Sequence, residues 1–135
     1  MSITTLLTKI LIVEDSPSEL ELMDHYLQNT GYEIIKATSA KEALKIAIEE
    51  PPDFIITDVV MPGMSGFELC RSLKRNPATE NISIIISSSK NQAIDKLWGI
   101  KQGASVYLTK PYTREQLLNV IKGLANNCQY SSSKL

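Results

Sequence analysis

Four short apolar runs in this chain are each followed at once by a side chain able to do chemistry. Glu14 and Asp15 follow KILIV, Asp58 follows FIIT, Ser88 follows SIIIS, and Lys110 follows VYLT. Three carboxylates gathered in one place repel one another and need a compensating charge. A hard divalent cation such as Mg²⁺ takes oxygen ligands and keeps several waters, so two or three carboxylates plus a backbone carbonyl suit it. Lys110 offers a second positive charge. A carboxylate flanked by a metal and an ammonium is arranged to receive an anion, and a carboxylate can be the nucleophile that becomes an aspartyl phosphate. Positioning and charge neutralisation are most of what phosphoryl transfer asks of a protein. Each piece alone is weak: an acid pair after a strand is commonly helix-start chemistry, and Ser88 within Ser87-Ser88-Ser89 has turn character. The joint pattern at the ends of four runs carries the reading.

The elements that must position these residues alternate along the chain. Strands are expected at Lys9–Val13, Glu33–Ala37, Phe54–Thr57, Ser83–Ser87 and Val106–Thr109, each short and mostly β-branched or aromatic. Helices are expected between them, with capping boxes at Ser16–Glu19, Ser39–Glu42, Ser65–Glu68 and Thr113–Gln116, and a further helix over roughly Gln92–Gln102. Pro17 suits a first helical position, and Pro51-Pro52 stops the second helix. Such alternation predicts a parallel sheet with helices on both faces. In open sheets of that kind ligands bind beyond the carboxyl ends of the strands, where the candidate residues collect.

The chain has 135 residues, 43% apolar and 21% charged, and a net charge of -1, which fits one soluble domain and gives no basic footprint for nucleic acid or an anionic membrane. The start, MSITTLLTKILIV, is broken by Lys9 and too short to span a bilayer, so no membrane insertion is expected. Cys70 and Cys128 lack metal-site spacing, and with no secretory leader the expectation is reduced thiols in a cytoplasmic protein. Residues 1–8 read as an N-terminal extension, 9–125 as the domain, and 126–135 as a polar tail expected to be disordered. His25, the only histidine, sits inside the first helix with no partner acid and reads as a surface residue.

From Lys9 to Ala125 the sequence resembles the receiver domains of two-component response regulators. The likeness lies in ILIVEDSPSE, PPDFIITDVVMPGMSGFEL, IIISSS and QGASVYLTKPY, and is most specific from Asp58 through Gly66. The resemblance implies a flavodoxin-like α/β fold with strand order 2-1-3-4-5. It implies phosphorylation of Asp58, and Mg²⁺ (or Mn²⁺ in its place) held by Glu14, Asp15, Asp58 and the backbone carbonyl of Val60. Lys110 would bind phosphoryl oxygens, Ser88 would hydrogen-bond one of them after transfer, and Tyr107 would be the aromatic whose burial reports the state. The Lys110–Pro111 peptide would be cis. The donor would be a sensor histidine kinase or a histidine phosphotransfer protein. The signal would leave through a target protein on the face made by the fourth helix, fifth strand and fifth helix, with Trp98 either on that surface or turned to the core.

Two departures from the family pattern concern lifetime. Val60, two residues beyond Asp58, cannot orient an attacking water, so self-dephosphorylation should be slow; Lys90 stands two beyond Ser88. With no output domain expected, the chain resembles the single-domain receivers of chemotaxis and type IV pilus motility, and residues 96–104 look more like the pilus group. Relay intermediates and phosphate sinks remain equally compatible. No enzymatic activity is expected beyond phosphoryl transfer to Asp58 and its slow loss. Two rivals fit less well. A flavin carrier of this fold would place its phosphate where Glu14 and Asp15 repel it, and an aspartate-nucleophile phosphatase would want an acid where Val60 stands.

Overall fold

The computed structural model describes residues 8–134, with side chains to residue 126. Five strands and five helices alternate: β1 (Lys9–Val13), α1 (Pro17–Tyr26), β2 (Glu33–Ala37), α2 (Ala40–Glu49), β3 (Phe54–Thr57), α3 (Gly66–Arg75), β4 (Ser83–Ser88), α4 (Ala93–Lys101), β5 (Val106–Thr109) and α5 (Arg114–Lys134). The strands form one parallel sheet in the order β2-β1-β3-β4-β5, as the resemblance implied. β4 runs one residue further than the apolar pattern indicated, so Ser88 is the last residue of the strand. Residues 1–7 of the expected N-terminal extension lie outside the described part. α5 continues through the polar stretch from Asn126, whose side chains beyond residue 126, including that of Cys128, also lie outside it.

Alternation along the three central strands divides the interior into two layers, because successive strand side chains point to opposite faces. Leu11, Val13, Ile55, Ile84 and Ile86 face one way and pack with Ala43 and Ala47 of α2 and Leu69, Cys70 and Leu73 of α3. Ile10, Ile12, Phe54, Ile56 and Ile85 face the other way, against Met23 and Leu27 of α1 and Leu117 and Ile121 of α5. Each Leu or Ile so buried contributes about 1.5–3 kcal/mol. From Ile10 to Val13 and from Phe54 to Ile56, β1 and β3 are apolar and covered on both faces. The first polar residues past β1 and β3 therefore mark where the core ends.

The expected caps formed unequally. The Ser65–Glu68 box is complete, and Thr113 and Gln116 exchange the same two bonds at 3.1 and 2.8 Å. Ser39 accepts from Glu42 N at 3.1 Å, but the Glu42 carboxylate turns to Thr38. Ser16 makes no side-chain cap, which corrects the expectation at α1; Glu19 bonds Lys110 instead. Cys70 is buried, and burial pushes its thiol up to about 11, so it is a packing residue.

Candidate functional site

Sheet register builds the site. β1 and β3 align Val13 with Thr57, so the next residue on each strand, Glu14 and Asp58, emerge side by side at the carboxyl edge. Asp58 N donates to Val13 O at 3.3 Å and Glu14 N to Ala37 O at 3.1 Å, continuing the ladder one step past the apolar run. β4 and β5 align Ser88 with Thr109, and Lys110 N donates to Ser88 O at 2.8 Å, which delivers Lys110 to the same edge. The Lys110–Pro111 bond is cis.

Gly66 closes the loop over Asp58. Its amide donates to Val59 O at 2.9 Å, and a Cβ there would stand 1.9 Å from the Asp58 carbonyl oxygen. Only a residue without a side chain lets the start of α3 press so closely on the strand end. The Asp58 carboxylate is then fixed at both oxygens: Oδ1 accepts from Val59 N at 2.6 Å, and Oδ2 accepts from Lys110 Nζ at 3.3 Å.

Lys110 is the hub. Its ammonium donates to Glu14 Oε1 at 3.1 Å, to Asp58 Oδ2 and to Glu19 Oε1 of α1. Burial alone would lower the Lys110 pKa, but the hydrogen bond to Glu19 and the charges of Asp58 and Glu14 outweigh it and the net shift is upward, so it is an ammonium at neutral pH. Glu14 is 1% exposed; burial pushes its carboxyl up, opposed by the bond from Lys110. The Glu14 carboxylate also accepts from Ser16 N at 3.3 Å.

Glu14, Glu19 and Asp58 each offer a carboxylate oxygen within 4.8 Å of the others, a donor set that fits a hard cation. Of the predicted ligands, the structure thus joins Glu14 to Asp58. Asp15 is exposed and is not among the three that share this small volume, and Val60 is 61% exposed. Glu19 is the residue that sequence reasoning placed elsewhere, as the far half of a capping box. One signal was available: at the third position of the helix that starts just after the acid pair, it had to lie on the same edge.

Around this hub, Ser88 is buried and its Oγ accepts from Lys90 N at 3.1 Å. The Tyr107 hydroxyl donates to Lys90 O at 2.7 Å, and burial raises its pKa. The Tyr107 ring lies against Gly99 of α4, where a Cβ would come within 2.9 Å of it. On the other sheet face, Ser87 Oγ and Tyr112 Oη share a 2.7 Å hydrogen bond, a pairing the sequence did not disclose. Trp98 is 48% exposed and stands with Ile94, Leu97 and Ile100 as exposed apolar side chains of α4, which settles its orientation outward. His25 is exposed, as expected. A cavity at the opposite, amino-terminal end of the strands touches Pro52, Asp53, Phe54 and Ser83, but Asp53 there is bonded to Lys9 N.

Fold and edge together define a doubly wound α/β domain of the flavodoxin-like order, with its acids at the switch point between β1 and β3. Its family is that of the response regulators: residues 10–122 match the family described as response regulator receiver domain, and the chain belongs to it. Protein PilH of Pseudomonas aeruginosa is 40% identical over 118 residues, spanning 87% of this chain and 98% of that one. The chemotaxis protein CheY4 of Vibrio cholerae superposes with a TM-score of 0.81 at 33% identity, over 87% of this chain and 98% of that one. The transcriptional regulator PhoP of Bacillus subtilis is 32% identical, and the match spans 51% of its length. Among the described residues no helix is long and apolar enough to cross a membrane.

Proposed function

We propose that this protein is a single-domain response regulator that takes a phosphoryl group on Asp58 and signals by binding another protein. The observation that carries the reading is the convergence of Asp58, Glu14 and Lys110 on one strand-end corner. In the transfer, an Asp58 oxygen forms a bond to phosphorus while the bond from phosphorus to the donor's imidazole nitrogen breaks, and the electron pair stays on that nitrogen. Val59 N keeps the carboxylate from rotating, and Lys110 donates to the phosphoryl oxygens. Glu14 and Asp58, which lie together at the corner, would hold Mg²⁺, or Mn²⁺ in its place, with Asp15 and the Val60 carbonyl contributed by the turns that follow them; when bound the ion neutralises charge on the transferring group.

The added group brings roughly two negative charges and three acceptor oxygens. Ser88 Oγ, now engaged by Lys90 N, is the hydroxyl placed to meet one of them. Its shift would act on Lys90, whose carbonyl is the partner of Tyr107, and so on α4. The modification selects a conformation already sampled. The exposed Ile94, Leu97 and Trp98 support the α4-β5-α5 face as the place where a target protein docks. A histidine kinase or histidine phosphotransfer protein is the donor, the setting is the cytoplasm, and taxis or motility is the favoured pathway by likeness to the chemotaxis protein of V. cholerae.

The test is intact mass after incubation with acetyl phosphate and Mg²⁺. The wild type should gain one phosphate and Asp58→Asn none; equal labelling of both removes Asp58 from the role.

A further inference from the structure

We propose that Glu19 is a positioning residue that holds Lys110 back in the unphosphorylated protein, and that its release lets Lys110 serve the phosphoryl group with more than one N–H. This rests on the reading of Asp58 as phosphoacceptor. An ammonium has three N–H donors and no acceptor. In this structure they are directed to Glu14 Oε1, Glu19 Oε1 and Asp58 Oδ2, so none is spare. A phosphoryl group on Asp58 inherits the N–H now given to Oδ2, but with roughly two charges and three acceptor oxygens it calls for a second, which Glu14 or Glu19 must give up.

Burial decides which. The Glu14 side chain is 1% exposed, and a carboxylate stripped of its partner there is left charged and unsolvated. The Glu19 side chain is 46% exposed on α1 and returns to water at small cost. The Ser16 amide that a capping box would offer Glu19 is already given to Glu14, so the freed carboxylate goes to water. Glu19 is therefore a placeholder for the anion that Lys110 is meant to receive. It slows phosphorylation and disfavours the modified form by the weight of one partly exposed ion pair.

The experiment uses the full chain with acetyl phosphate, where an Asp58 oxygen bonds to phosphorus and acetate leaves with the electron pair of the broken bond. Glu19→Gln and Glu19→Ala should each be phosphorylated about two- to fivefold faster than wild type, and should bind beryllofluoride more tightly by fluorine NMR. The nitrogen resonance of the Lys110 ammonium in metal-free protein should move in both variants. The gain should be lost when Lys110→Ala is combined with either, because Glu19 acts through Lys110. An unchanged or slower rate in the Glu19 variants, with wild type labelled normally, overturns the inference alone. A gain that persists without Lys110 also overturns it, because Glu19 then only repels the incoming anion. If wild type takes no phosphate, the parent reading fails and this one with it.

Discussion

Two side chains flanking the acceptor do opposite things to it. Val60, two residues past Asp58, is 61% exposed and has no polar side-chain atom to steer a water toward an acyl phosphate. Val60→Asn should shorten the lifetime of the phosphorylated form at no cost in folding, followed as loss of the phosphate mass over time. Gly66 acts from the backbone side. Gly66→Ala would force its Cβ against the Asp58 carbonyl, so the loop must move. A loss of about 1–3 kcal/mol in urea unfolding is expected, together with slower phosphorylation, since the displaced strand end carries the carboxylate. The motif from Asp58 to Gly66 was visible in the sequence. The reason for its final glycine was not, because a 1.9 Å clash across eight residues exists only once the loop has closed.

At the level of elements, the apolar runs located every strand: β1, β3 and β4 are buried on both faces and leave a nearly unbroken signal, while the part-exposed edge strands β2 and β5 still carry short apolar cores. The edges of that signal told less: whether Ser88 belongs to β4 depends on its pairing with Thr109, which no local pattern contains. Helix starts show where local rules lose. Ser-x-x-Glu occurs identically at Ser16 and Ser65, yet only Ser65 forms the box. At α1 a distant ammonium outbids the local amide for Glu19, and Ser16 N turns to Glu14. Ser65→Ala should therefore cost about 1 kcal/mol, whereas Ser16→Ala should leave the denaturation midpoint nearly unmoved. Equal losses at both would mean that Ser16 caps α1 in solution after all.

For the molecule as a whole, the corner that serves the proposed function works against the fold. Three carboxylates face one ammonium there, and Glu14 among them is buried. Removing one charge relieves repulsion, so Asp58→Asn should unfold about 1 kcal/mol less readily than wild type in metal-free buffer. Mg²⁺ should narrow the gap by stabilising the wild type more; a less stable Asp58→Asn in metal-free buffer would show that the bonds Asp58 accepts outweigh the repulsion it feels. Weakness is distributed unevenly elsewhere too. The single buried residue of α4 is Gly99, which has no side chain to anchor it, while four large apolar residues of that helix face outward. In heavy water the amide protons of residues 96–101 should be among the first helical ones to be replaced by deuterium, well ahead of those in α3, whose Leu69, Cys70 and Leu73 are locked beneath the sheet.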